Sequence, residues 1–148
     1  MEIYFRPLEE KDRVHVLKMM RTFYDSPAVI TKASNEVLTR DFNACLSNSP
    51  FIKGFAFVCD GSLAGYGMCA FSFSTELGGQ CVWIEDIYIL EEYRHKGIGS
   101  KFLAFVEKEF PAPRYRLEAE EENTNACAAY FKAGYKKLDY LQLVKDID

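Results

Sequence analysis

No run of apolar residues in this chain approaches the roughly 20 that a membrane span requires. Met1 is followed by Glu2-Ile3-Tyr4-Phe5-Arg6, with neither a basic flank nor the apolar core of a secretion signal. A Lys/Arg-rich run is also missing, and the formal charge of −4 repels a phosphate backbone, so membrane and nucleic-acid partners are not expected. There is no C-x-x-C pair. The five cysteines, Cys45, Cys59, Cys69, Cys81 and Cys127, are odd in number and scattered, which suits buried free thiols in a reducing cytosol better than a disulfide frame or a zinc site. Only two histidines occur, His15 and His95, and neither has a partner pattern that suggests a triad or a metal site. The expectation is a soluble cytoplasmic protein with no metal.

What is abundant is apolar and aromatic: 49% hydrophobic residues, with twelve Phe and nine Tyr, in 148 residues. That composition belongs to ordered globular chains, and the length suits one domain, residues 1–148, with a substantial core. Ile3 to Arg6 reads as a strand closed by Pro7, and Glu9 to Asp25 as a helix. Ser34 is placed to cap a second helix through about Asn48. Phe55 to Cys59 and Leu63 to Ser74 are β-type runs joined by Asp60-Gly61, a strong short hairpin signal. Cys81 to Leu90 is nearly continuously apolar, as a strand covered on both faces would be. Ile98, Phe102, Leu103, Val106 and Phe110 recur at helical spacing before Pro111 and Pro113. Tyr115 to Ala119 is strand-like, Asn123 to Ala133 helical with Gly134 at its C′ position, and Tyr135 to Val144 strand-like again. The order is β-α-α-β-β-β-α-β-α-β, an α/β domain.

Chemistry concentrates in Arg94-His95-Lys96-Gly97-Ile98-Gly99-Ser100, where a buried strand passes through two glycines into a helix. Backbone N–H groups without intrahelical partners, the helix dipole and nearby basic side chains make such a turn an anion cradle. A glycine-softened helix entry explains the same pattern. A P-loop would need a glycine at Arg94 and Lys directly after Gly99, and a dinucleotide fingerprint would need glycine at Phe102, so both nucleotide motifs fail.

What remains, Arg94-x-x-Gly97-x-Gly99 after a buried strand, resembles the coenzyme A turn of the GNAT superfamily of acetyl-CoA-dependent N-acetyltransferases, Q/R-x-x-G-x-G/A. A second match follows: Asn123-x-x-Ala126-x-x-x-Tyr130-x-x-x-Gly134-Tyr135 fits that family's N-x-x-A-x-x-x-Y-x-x-x-G-F/Y pattern without a gap. The resemblance covers nearly the whole chain, with residues 1–50 alike only in outline. It implies the GNAT fold: a mixed, mostly antiparallel sheet of six to seven strands flanked by four helices, splayed at its centre to admit coenzyme A.

By the same resemblance, the main chain of Ile87, Tyr88 and Ile89 would pair with the cofactor's arm, and residues Arg94, His95, Lys96, Gly97, Ile98, Gly99 and Ser100 would hold its pyrophosphate. Asn123 and Ala126 would contact the arm too, although Asn123 serves equally well as a helix N-cap. Tyr130 would be the acid that protonates the departing thiolate. Glu85, in Trp83-Ile84-Glu85-Asp86-Ile87-Tyr88-Ile89, is similarly placed to a glutamate of spermidine/spermine N-acetyltransferases that removes the amine proton, directly or through water. Successive strand residues face opposite sides, so only one of Glu85 and Asp86 is expected to point into the site. The acidic run Glu118 to Glu122 would attract a cationic amine or simply lie in solvent, and Tyr24 and Asp25 fall where relatives shape the acceptor pocket.

The function implied is acetyl transfer from acetyl-CoA to a primary amine by direct attack in a ternary complex. A small cationic amine such as a polyamine fits the acidic residues; a protein or peptide amine or an aminoglycoside is also compatible, and a homodimer is permitted. A coenzyme A-binding sensor without turnover is the rival, and the presence of both Glu85 and Tyr130 argues against it.

Overall fold

A computed structural model describes residues 1–147. Five strands, β1 (Ile3–Pro7), β2 (Ile52–Cys59), β3 (Ser62–Ser74), β4 (Gly79–Ile89) and β5 (Arg114–Leu117), form one sheet in the order β1-β2-β3-β4-β5. The first four are antiparallel neighbours, and β5 joins β4 in parallel. Four helices complete the fold: α1 (Arg13–Tyr24), α2 (Asn35–Leu46), α3 (Ile98–Glu109) and α4 (Thr124–Lys132). Ser34 caps α2 as its spacing suggests, its Oγ accepting from the Val37 N–H at 3.2 Å. Asp60 and Gly61 both take positive φ, +49° and +81°, which a type I′ hairpin requires. No helix among the described residues is long and apolar enough to cross a membrane.

Alternation along β2 sends Phe55 and Phe57 to one face and Ala56 to the other, so the sheet separates two cores. Phe55, Phe57, Val82 and Ile84 pack against Ile98, Phe102, Leu103 and Val106 of α3. On the other face Ala56, Tyr66 and Met68 meet Val16 and Met20 of α1 and Leu38 and Phe42 of α2. Close approach of α3 depends on Gly67, where a Cβ would lie 2.6 Å from the Phe102 ring. At the start of α1, Asp12 is buried against Arg6, which grips it with two nitrogens at 2.8 and 2.9 Å.

Two departures from the sequence expectation matter. Among the described residues the sheet has five strands, not six or seven, because the β-type run Tyr135 to Val144 makes no ladder there. Strand propensity is realised only against a partner edge and a face to bury; Leu141, Leu143 and Val144 are 85–86% exposed and bury nothing. The second departure is in β4. Met68 lies opposite Asp86 and Cys69 opposite Ile84, which leaves Glu85 as an extra, unpaired residue. This is a β-bulge, and it breaks the strict alternation on which the sequence reading of Glu85 and Asp86 relied.

Candidate active site

The bulge has two consequences, one on each side of β4. Toward β5, the parallel ladder runs only from Cys81 to Ile84, opposite Arg114 to Leu117, and then stops. From Glu85 onward no described strand lies beside that edge of β4, and since successive residues turn their main-chain groups to opposite sides, alternate residues of the stretch Ile87 to Ile89 present theirs here while β3 holds the others. The centre of the sheet is therefore splayed, as the resemblance implied.

Beyond the splay, the chain turns through Arg94 to Gly97 into α3. His95 (φ +62°) and Gly97 (φ +78°) both adopt left-handed backbone, and no side chain caps the helix at Gly97. Its first-turn N–H groups thus face outward without a protein acceptor of the capping kind. A Cβ on Gly97 would meet nothing within 4 Å, and one on Gly99 only Ile89 Cδ1 at 3.7 Å, so open space lies over the amides. Ile98 is buried by its side chain and contributes only main chain there, while Ser100 is exposed on the first turn. Arg94 folds back, its Nε donating to the Ile89 carbonyl at 2.8 Å with its guanidinium 5.5 Å from the Tyr88 ring. Lys96 leans over Tyr93 at 5.8 Å. The uncapped helix, the empty space over two glycines and the open strand edge together fit a diphosphate with an extended arm, as coenzyme A has.

Across the splay stands α4. Asn123 is its N-cap, Oδ1 accepting from the Ala126 N–H at 3.4 Å, so the capping role of Asn123 is realised and the Ala126 amide is engaged by it. Gly134 terminates the helix with φ +99°. Tyr130 is half-buried with its ring 6.3 Å from that of Tyr135, and its hydroxyl makes no hydrogen bond among the described residues. Burial, then the neighbouring Cys127, raises its pKa, so the phenol keeps its proton at neutral pH.

On the opposite face of the sheet, a cavity of about 300 Å³ is lined by Tyr24, Asp41, Phe51, Met68, Glu85 and Asp86, among others. Both adjacent carboxylates of β4 line it, against the expectation that only one would; the bulge re-aims Glu85 to make this possible. Asp86 is buried to 2% exposure and held by two phenols, the Tyr24 hydroxyl donating to Oδ1 at 2.9 Å and the Tyr66 hydroxyl to Oδ2 at 2.8 Å. Burial pushes its pKa up to about 6, although both hydrogen bonds pull the other way. Both phenols are raised in turn by burial and by the Asp86 charge.

Glu85 differs from its neighbour. Solvent reaches its side chain, yet the carboxylate lies among enough protein to lose hydration, and its pKa is raised by burial, then by the charges of Glu118 and Asp41. Glu118 is exposed just past β5, and its influence on Glu85 is its place in the site. Asp25 is not brought in: its carboxylate pairs with Arg21 at 2.7 Å on the exposed end of α1 and does not line the cavity. Asp41 was not anticipated. It is raised by its own burial, less an opposing effect of Arg40, and makes no ion pair or hydrogen bond among the described residues. Its one trace in the sequence is a carboxylate three residues after Leu38 and four before Cys45, beside the apolar face of α2.

A family model, the acetyltransferase (GNAT) family, matches residues 17–135. The chain belongs to the GNAT acetyltransferase family. It is an acetyl-CoA-dependent N-acetyltransferase. The pig protein "Thialysine N-epsilon-acetyltransferase" (Sus scrofa) is 29% identical over 147 residues, 92% of this acetyltransferase and 85% of the relative. A possible acetyltransferase from Clostridium difficile 630 shares the fold with a TM-score of 0.82 at 22% identity, over 100% of this chain and 99% of its own. A structure from Clostridium acetobutylicum, described as an acetyltransferase with acetyl-CoA, gives a TM-score of 0.74 at 21% identity, covering 97% and 96%.

Proposed function

We propose that this GNAT domain acetylates a primary amine on a small, cationic acceptor. The observation that supports the reading most is the cavity beside the bulge of β4, where Asp41, Glu85 and Asp86 present three carboxylates and none of them is paired with a Lys or Arg among the described residues. Such a site favours a positively charged guest and disfavours an anionic one.

Acetyl-CoA, when bound, supplies the acetyl group as a thioester. The first-turn amides of α3 with Gly97 and Gly99 hold its diphosphate, and the free edge of Ile87 to Ile89 orients its arm along the splay. A main-chain N–H of that edge donates to the thioester oxygen, where charge develops during attack. Glu85 takes the proton of the incoming ammonium, directly or through water; its raised pKa makes it a stronger base than an ordinary carboxylate while solvent access lets the proton leave. Asp86, locked by two tyrosines, positions the wall of the pocket and adds negative charge. Tyr130, protonated at neutral pH, donates to the departing thiolate. Direct attack within one ternary complex needs no nucleophile of the protein's own, and the cysteines nearest the pocket suit that: burial pushes the Cys45 and Cys69 thiols up to about 12, away from the reactive thiolate.

The test is steady-state release of free thiol from acetyl-CoA over a panel of diamines, polyamines, basic amino acids including thialysine, peptides and aminoglycosides. A dication is expected to give the highest kcat/KM, and a monoamine of the same length, which carries one positive charge fewer, a much lower one. Equal rates with the dicationic and the monocationic acceptors would remove the electrostatic argument.

A further inference from the structure

A second cavity, of about 170 Å³, lies beside the acidic one and is lined by Ser72, Ser74, Cys81, Trp83, Arg114 and Arg116, among others. Both open on the same face of the sheet: Ala70 lines the first, Trp83 lines the second, and these two residues are cross-strand partners whose side chains leave the sheet on one side. The charge reverses across that pair. Arg116 lies opposite Trp83 in the ladder of β4 with β5, and its guanidinium sits over the indole, 4.3 Å from the ring centre. Its neighbour Arg114 is neutralised by Glu76 at 2.8 Å, and Glu76 also accepts from the Tyr140 hydroxyl at 2.6 Å. Arg116 has no ion pair among the described residues. One cavity thus offers carboxylates without a cation, and the next a cation without a carboxylate.

We propose that Arg116 selects the acceptor: it holds a carboxylate at the far end of the molecule while the side-chain amine at the near end reaches Glu85, so that a diamino acid is preferred to a plain diamine. The inference rests on the acceptor reading above, in which the amine enters the acidic cavity. Trp83 is two residues before Glu85 on β4, and β5 lies one strand to the side, which sets the backbone positions of Glu85 and Arg116 roughly 8 Å apart, within reach of a short aliphatic chain. A single unpaired guanidinium carries one positive charge, which matches a carboxylate better than a dianionic phosphate. Its planar fork can donate to both carboxylate oxygens, and the indole beneath it orders the side chain before the acceptor arrives. Without Arg116, a carboxylate this near to Asp41, Glu85 and Asp86 would meet only repulsion; with it, each end of the acceptor meets the opposite charge.

The test compares acceptors that differ only in the carboxylate, lysine against cadaverine and ornithine against putrescine, with acetyl-CoA and the full chain, read as kcat/KM for release of free thiol. In the wild type the amino acid of each pair is expected to exceed its diamine by at least about tenfold, the worth of one charge-assisted contact. Arg116→Met keeps an aliphatic stem over Trp83 and removes the charge. It is expected to lower kcat/KM for lysine and ornithine by about tenfold and to raise it for cadaverine and putrescine, whose second ammonium the guanidinium repels. Opposite signs within one variant cannot come from a loss of fold. Equal rates within each pair in the wild type, or a substitution that moves both members of a pair in the same direction, would overturn the role of Arg116 and leave the amine reading standing. If neither member of either pair is acetylated, the acceptor reading fails and this inference with it.

Discussion

Asp86→Asn is the substitution whose consequence the structure quantifies best. The carboxyl is 2% exposed, and burial carries its pKa from the ordinary 3.8 to about 6. A raised pKa means that the folded protein binds the proton more tightly than the unfolded chain, so folding is least penalised at low pH and the penalty grows as pH rises. The window runs from about pH 4, where the unfolded group ionises, to a little above pH 6, where the folded one has. A shift of about 2.2 units at 1.36 kcal/mol per unit corresponds to about 3 kcal/mol, of which about 2 kcal/mol develops between pH 4 and pH 8. Asparagine keeps the shape and can still accept from one phenol, but it cannot ionise. Every other titrating group is common to both proteins and cancels in the difference. Urea unfolding of the wild type and the Asn variant at pH 4, 5, 6, 7 and 8 should therefore give curves whose midpoints separate in favour of the variant by about 1 M across that range. Midpoints that keep a constant separation would mean that Asp86 titrates at an ordinary value. A separation that grows on acidification would mean that the two tyrosines outweigh burial, reversing the assignment.

Gly99→Val fills the open space over the α3 amides while leaving the core untouched, so coenzyme A affinity by calorimetry should fall at least about tenfold with an unchanged unfolding midpoint; unchanged affinity would place the diphosphate elsewhere. Tyr130→Phe should lower kcat by about 100-fold with little effect on KM, and wild-type turnover would exclude it as the acid. Glu85→Gln should lower kcat/KM and remove the acidic limb of its pH profile, since the raised carboxyl no longer titrates; a retained limb would assign it to another group. Asp12→Ala strands the half-buried Arg6 and should cost about 3 kcal/mol by urea unfolding. The Asp12 carboxyl, which burial alone would raise, is held below its ordinary value by Arg6 and the Glu9 N–H, so wild-type stability from this pair is lost as pH falls through that depressed value. A loss below 1 kcal/mol, or one independent of pH in the acid range, would show that the pair is not coupled to folding.

Much of the fold is legible in the sequence because it depends on neighbours along the chain. The Asp60-Gly61 hairpin, the Ser34 cap, the Gly134 terminus and the turn from Arg94 to Ser100 each follow from a few adjacent residues and their backbone preferences. The splay opens beside Ile87 to Ile89, where β5 has ended at Leu117 opposite Ile84. The acceptor side is less legible. Tyr24 lies on the cavity and Asp25 does not, although they are adjacent, because α1 ends between them and Asp25 turns back to Arg21.

By itself, the sequence determined the family, the glycine turn that opens α3 and the helix that carries Tyr130, all of them local spacings that one stretch of backbone can specify. Tertiary structure alone decided that Glu85 and Asp86 share a cavity, because a bulge is a mismatch between two strands and cannot be seen in either. It also decided that Asp41 faces them from a helix more than forty residues earlier, and that Tyr24 and Tyr66 hold Asp86 from opposite elements. The run after Gly134 has strand-forming residues and yet no ladder among the described residues: a strand forms only where its hydrogen bonds to a neighbouring edge are made, and that pairing is a matter of tertiary arrangement.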